Sequence, residues 1–489
     1  MDNEQLETNK PQQKTVAKAI IWKFIERIGV NGVSFVISLI LARLLMPEDY
    51  GILALLNVFI QVSATLIDSG FCSALIQKKD TNQLELCSVF FFSLFFSIIC
   101  YCFLFIVAPL IAEFYHQDIL ISVLRVVAVT LIIRVFQCIP FVIVNKQLDF
   151  KVSARIAFIS NVSSGIIAIV LAYNSFGVWA LVMQQILSVI ISVILYITYI
   201  KWFPNFLFSF SSLKSLFGFG SKMMLLTFSA SIFDNIYGVI IGKKYNSTAL
   251  GIYNRGETFP KLIVSNVSGA MENVIFPTLS YYTDNMNETL RIVRRFIKLS
   301  MYFVVPLMFG LIAVAESMVQ VLLTDKWLES VFFLRIACVV WILDPLKGAS
   351  YSTLYAVGKS GVALKFTLLR YLLLLLSLLI SVNFGLKGMS IGYAISVTIS
   401  RFCDLIPMKK LLGYRFCDVL NDIYLSFVMS LVMLIIIIPI AFLNISPLIK
   451  LLSQILLGII VYFVLSILFK SEPFFYVLNN IKKRLNRKI

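Results

Sequence analysis

The sequence predicts an all-α polytopic membrane protein of about fourteen transmembrane helices, arranged as two pseudo-symmetric six-helix bundles with two peripheral helices at the C-terminal end. Three observations carry this. Of 489 residues, 60% are hydrophobic and only 14% charged, whereas a soluble domain has close to half apolar and about a quarter charged residues. The apolar residues fall into runs that satisfy the roughly 20 residues needed for each crossing. Polar residues within those runs recur at helical spacing, and the pattern returns 200 positions further along the chain.

The stretch from Ser221 to Tyr282 reads as two long helices joined by a short polar turn. Thr227, Ser231, Asp234, Gly238 and Gly242 follow at steps of four, three, four and four, which places them on one face of the first helix. Glu257, Lys261, Ser265, Ser268 and Glu272 do the same on the second. Two hundred residues earlier, Arg27, Asn31, Ser34, Ser38 and Ala42 mark the first helix of the chain, and Asn57, Gln61, Thr65 and Asp68 the second. The turn glycines coincide as well, Gly51 in PEDYGILAL and Gly251 in STALGIYNR. This register predicts a duplicated unit. Small and hydroxylated residues at such spacing also serve helix packing, and that reading suffices for Ser34, Ser38, Gly238 and Gly242. It does not suffice for Asp68, Asp234, Glu257, Lys261 and Glu272, because an ionisable group at membrane depth costs a few kcal/mol or more without water or a partner.

The net charge of +17 is placed for topology rather than for nucleic acid. Sorted by alternate loops, about thirty Lys and Arg fall on the side of the N-terminus and about ten on the other, which predicts cytoplasmic N- and C-termini. The expected divisions are an N-terminal bundle over 1–200, an amphipathic linker on the inner leaflet over 201–222, and a C-terminal bundle over 223–410. Two further helices follow over 411–470, then a basic cytoplasmic tail over 471–489 that reads as an anchor near anionic lipid. No cleavable signal peptide is expected, since the first apolar stretch is too long and lacks a small-residue cleavage site. The eight cysteines lack metal or redox spacing and read as small apolar residues.

Along the chain, Lys23 and Arg27 extend the first polar stripe into a cationic mouth. The third helix, SVFFFSLFFSIICYCFLFIV, has no polar stripe and is expected to face lipid. Arg134 stands about ten residues inside the end of the fourth helix and requires an acid, a carbonyl or a ligand phosphate as partner. The single histidine, His116, has no second His or Cys nearby, so no metal site is expected there. Asp344 and Lys347, three apart and flanking Pro345, read as a self-neutralising pair. NSFGVWAL at Asn174 and VNFGLKGMSIGYA at Val382 open alike, extending the likeness of the halves beyond the first helix pair.

Chemistry is sparse. GKSGVAL at Gly358 lacks the spacing and preceding strand of a phosphate-binding loop, and no loop is long enough for a folded catalytic domain. No catalytic residue, metal or cofactor is expected, apart from Na+ or H+ as a coupling ion. A duplicated helix bundle with inward polar stripes, buried carboxylates and a cationic mouth is the equipment of a secondary transporter.

The run FDNIYGVIIGKKYNSTALGIYNRGETFPKLIVSNVSGAMENVIFPTLS, with VVPLMFGLIAVAESMVQVLLTDKWLES after it, resembles the polysaccharide-transporter branch of the multidrug/oligosaccharidyl-lipid/polysaccharide exporter superfamily. LILARLLMPEDYGILAL and LIDSGFCSALIQKK resemble the first-helix-pair motif of the same family. The resemblance covers most of the chain and implies two six-helix bundles, often with two extra helices, that flip lipid-linked oligosaccharide across the bacterial inner membrane. The substrate residues of that family vary and offer no fixed motif to transfer, so the site candidates rest on the stripes and the intramembrane charges: Arg27, Asn31, Arg134, Arg255 and Lys261 are the candidate substrate contacts, the cations among them suited to a polyprenyl diphosphate. Asp68, Asp234, Glu257 and Glu272 are the candidate ion-coupling residues. The expected partners are the lipid-linked substrate, membrane lipids and a polysaccharide polymerase of the same pathway, with no nucleic acid, and the chain is expected to be a monomer. The alternatives are an ion-coupled drug antiporter of the same fold and, from another class, a membrane-embedded polymerase or ligase.

Overall fold

A computed structural model describes residues 29, 31–68, 70–78, 81–147, 149–283 and 285–485, and among these the regular structure is entirely helical. Among the described residues ten helices are long and apolar enough to cross a membrane, and the protein is a multi-pass membrane protein. The expected count of fourteen is not reached by length and composition. α8 (Phe210–Lys244) and α9 (Ser247–Tyr281) have 35 residues each but carry the polar stripes, and α1 is described only over Asn31–Leu44. The chain divides into two compact units, Met1–Gly251 and Ile252–Ile489.

In the first unit α2 (Pro47–Asp68), the short α3 (Phe71–Gln77), α4 (Gln83–Tyr115), α5 (Ile119–Lys146), α6 (Phe150–Tyr173) and α7 (Val178–Ile200) precede α8. The start of α4 is capped by Asn82, whose side chain accepts from the Glu85 amide at 2.9 Å. This satisfies a donor that a helix start leaves open, and the buried Glu85 carboxylate is in turn held by Lys78. At the other end of α4, His116 is the left-handed C-cap, with Nε2 3.5 Å from Lys243 Nζ. The single histidine therefore ends a helix.

The amphipathic stretch 201–222 differs from the expected separate linker. Only 201–209 is irregular, and Ser209 caps a helix that begins at Phe210 and runs without interruption to Lys244. The irregular part is fastened to α4. Trp202 donates to Gln83 at 3.1 Å, the Ser209 amide donates to Ser88 at 2.9 Å, and Phe206 stacks on Phe91. α8 itself packs on α2 and α4, which places it in the first unit although the sequence assigned it to the second half.

The duplication is visible at helix ends. α1 ends at Leu44 and α8 at Lys244, while α2 starts at Pro47 and α9 at Ser247, both pairs 200 apart. The two glycines expected in turns lie instead in the second turn of α2 and of α9, and they explain why the register is kept. A Cβ on Gly51 would collide with the carbonyl of Ser247, and one on Gly251 with the carbonyl of Pro47. The contacts are reciprocal under the same 200-residue shift, and close backbone approach of this kind admits glycine alone.

The second unit is built on α10 (Met286–Leu322), 37 residues long. α11 (Ser330–Ile342) and α12 (Asp344–Ala356) form one path interrupted at Leu343, with Pro345 in the first turn of α12. α13 (Ser360–Ser381) and α14 (Gly385–Cys403) follow, the latter interrupted before α15 (Ile406–Leu412), which has Pro407 in its first turn. Proline in a first turn costs no hydrogen bond but prevents the preceding helix from continuing through it. α16 (Phe416–Ile437) and α17 (Pro447–Leu468) both pack on α10. Arg294 of α10 donates to Asp422 through Nε and Nη2 at 2.7 and 2.8 Å, and Tyr414 adds a third donor at 2.8 Å. Ser317 donates to Gln454 at 2.8 Å, and Tyr302 and Ser466 share a hydrogen bond of 2.9 Å. The basic tail contains α18 (Glu472–Leu485), joined to α10 by Lys298–Glu472 at 2.7 Å and by Arg295 over the Tyr476 ring.

Candidate functional site

The first unit brings together two residues that sequence reasoning had given separate roles. Asp68, at the end of α2, and Arg134, in α5, line one cavity with Ala64, Ile67, Ser93 and Leu131. The space amounts to about 20 Å³, enough for roughly one water molecule and far too small for a diphosphate. Both charged residues are exposed. A charge at membrane depth is tolerable where water or a counter-charge reaches it, and here an acid and a base share one recess.

Cys138 lines this cavity and is bonded to Cys72 of α3. This corrects the reading of those two cysteines as apolar fillers. The short α3 brings Cys72 back against α5, a tertiary event that a separation of 66 residues does not announce. Cys87, Cys100, Cys102, Cys338, Cys403 and Cys417 are free.

Elsewhere on α2 and α8 the stripes are laid side by side. Asn235 donates to the Gln61 side chain at 3.3 Å and to the Ser231 carbonyl at 2.8 Å, and Asp234 beside it is exposed. Asn31 lies half-buried on α1. Arg27 lies outside the described residues.

In the second unit the candidates are dispersed along α9. Arg255 is 5% exposed, with its guanidinium carbon 5.8 Å from the Phe259 ring and 5.7 Å from the Trp327 ring. Glu257, two residues on and so on another side of α9, lines a small cavity with Tyr253, Phe333, Ile336, Ser390 and Tyr393. Lys261 is exposed. Glu272 packs where a side chain on Gly348 would have to go. The stripe thus keeps its face, but its members enter distinct surroundings.

Asp344 and Lys347 are not the isolated pair expected. Their charged atoms are 4.0 Å apart, whereas Arg401 Nη2 donates to Asp344 at 3.1 Å and Arg401 Nη1 lies 3.8 Å from Asp404. Sequence reasoning passed over Arg401 and Asp404. The available signal was a basic and an acidic residue three apart within an apolar helix, which is costly unless paired.

The family described as "Polysaccharide biosynthesis protein" matches residues 40–332. Teichuronic acid biosynthesis protein TuaB of Bacillus subtilis (strain 168) is 28% identical over 313 residues, 63% of this chain and 63% of that protein. The chain thus spans less than two thirds of that relative's length. Lipopolysaccharide biosynthesis protein WzxC of Escherichia coli (strain K12) is 22% identical over 86% of each chain. Among solved structures, lipid II flippase MurJ in its inward closed conformation matches with a TM-score of 0.72 at 17% identity, over 93% of this chain and 98% of that one. At that identity the likeness concerns the fold.

Proposed function

Since this chain belongs to the polysaccharide biosynthesis protein family, we propose that it is a transporter of lipid-linked oligosaccharide. It flips polyprenyl-diphosphate repeat units from the inner to the outer leaflet of the bacterial inner membrane by alternating access, and it performs no covalent chemistry. The observation that carries this reading is the exposure of Gln61, Asp68, Arg134, Asp234 and Lys261 on long helices of a membrane protein. Such groups cannot face hydrocarbon without a large penalty, so they face water or a hydrated ligand. Arg27, Arg134 and Lys261 are each assigned a phosphate contact, since charge-assisted contacts to phosphate are among the strongest available. The recess at Asp68 admits water alone, so Arg134 reaches a diphosphate after the recess opens. Fourteen crossings with both termini cytoplasmic, a monomeric state and delivery to a polymerase of the same pathway complete the reading.

The test is complementation of a strain that lacks its own copy and accumulates lipid-linked oligosaccharide on the inner leaflet. The wild-type chain restores surface polysaccharide. At matched membrane levels Arg134→Ala and Lys261→Ala reduce it by about tenfold or more, the scale of one lost charge-assisted contact. Normal polysaccharide in both variants overturns these assignments, and failure of the wild-type chain to relieve the accumulated lipid intermediate overturns the transport reading itself.

A further inference from the structure

Two interruptions in the second unit are tied to each other by side chains. The α11–α12 path breaks at Leu343 and the α14–α15 path breaks at Asp404–Leu405. Ser350 of α12 donates to the backbone carbonyl of Asp404 at 2.6 Å, satisfying an acceptor at the second break. Asp344, the first residue of α12, accepts from Arg401, the last basic residue of α14. Asp344 at the first break is therefore held from α14, and the second break is held by Ser350, about two turns into α12.

The surrounding layer is unusually rich in charge. Lys347 and Arg370 are charged neighbours of Asp404, and Glu272 is a charged neighbour of Lys347. At 1.5 Å per residue, Glu272, Asp344, Arg370 and Arg401 each sit about 14–18 Å from the helix ends at Tyr281, Ala356, Ser360 and Leu412. Those four ends lie on one side, because successive helices alternate in direction through short turns. Three acids and three bases thus occupy a single layer, which balances in sum.

Balance in sum is not satisfaction in detail. Arg401 is 7% exposed, Asp344 8% and Asp404 1%, yet among the described residues Arg401 Nε and Nη1 and Asp404 Oδ2 make no hydrogen bond. A guanidinium offers five donors in a rigid fork. This one spends Nη2 on Asp344 and stands at ion-pair but not hydrogen-bond distance from Asp404. Leaving a buried donor unused is costly, and a tight permanent clamp would use the fork on both acids. The geometry is that of a cation between two alternative partners, located where both helices have already lost their continuity.

We infer that the paired breaks form one hinge within the second unit, and that Arg401 is its positioning residue, exchanging Asp344 for Asp404 as the half-helices move. Rigid half-helices transmit displacement, while a break absorbs the dihedral change. Pro345 and Pro407 keep the breaks from healing. Gly348 lets the Glu272 carboxylate lie against α12, so a movement of α12 is felt by α9. The inference concerns motion inside this unit and does not depend on which substrate is carried.

Hydrogen–deuterium exchange of the full-length protein in lipid nanodiscs tests it without a transport assay. In the wild type, peptides covering 341–347 and 401–407 exchange faster than the centres of α10 and α13. Arg401→Gln raises exchange at both breaks by about tenfold or more and leaves α10 and α13 as they were, and Arg401→Lys, which keeps the charge, reverses part of that rise. Asp344→Asn raises exchange mainly at 341–347, and Asp404→Asn mainly at 401–407. If Arg401→Gln does not fold, Arg401→Lys and the two Asn variants decide. Breaks as protected as the centre of α13 in the wild type, or variants that raise exchange uniformly through the unit, overturn the hinge and leave Arg401 a packing residue.

Discussion

In the first unit Asp68, Arg134, Gln61 and Asp234 stand exposed on α2, α5 and α8, whereas in the second Asp344, Arg401 and Asp404 are buried and Asp422 is held by three donors. The two arrangements answer the same difficulty, that charge in a low-dielectric medium needs water or a counter-charge. Water leaves a side chain available to a ligand. A counter-charge commits it to structure or to internal motion. Burial, rather than sequence position, therefore separates the residues that can meet a substrate from those that hold or bend the scaffold.

This contrast can be broken most severely at Asp422. Asp422→Ala leaves Arg294 and Tyr414 without their common acceptor, and because Arg294 is partly exposed the loss is that of the charged hydrogen bonds, about 1.5–3 kcal/mol. Thermal unfolding of the purified protein in detergent should show the loss, and an unchanged midpoint would mean that the network on α10 adds nothing. The effect at the two glycines is smaller. Gly51→Val and Gly251→Val each force apart backbones already in contact, at about 1–3 kcal/mol, and the reciprocal geometry predicts similar losses from the two. A loss at only one of them would show that the close approach is not shared.

Ser317→Ala removes one buried hydrogen bond to Gln454 and should cost about 1 kcal/mol, again read from thermal unfolding. Asp68→Asn sharpens the comparison from the opposite direction. Its carboxylate is exposed, so stability should change by no more than about 0.5 kcal/mol, while surface polysaccharide in the complementation assay falls. A large loss of stability with export intact would assign Asp68 to the scaffold and erase the distinction between exposed and counter-charged groups.

Periodicity, not contact, was what the chain displayed openly. Steps of three and four placed Asp234 and Gln61 on polar faces, and those residues are exposed on adjacent helices. The 200-residue recurrence of stripes and glycines was legible, and the structure adds that the helix ends at 44 and 244 and at 47 and 247 obey the same shift, since a helix start that needs glycine at a close crossing fixes both its residue type and its spacing. The same reasoning misplaced the start of α8, because the Ser209 cap resembles any other serine in an amphipathic run.

What the sequence by itself determined is thus the helical, membrane-spanning character of the chain, the faces of its helices and the repeated turns, all of which follow from neighbours within one or two turns. What only the tertiary structure decided is which faces meet. Asp68 and Arg134 share a recess, Cys72 is bonded to Cys138, and Arg401 lies between Asp344 and Asp404. The physical reason is that a helical period fixes a direction about one axis and says nothing about the partner in that direction, which is settled by packing many helices at once.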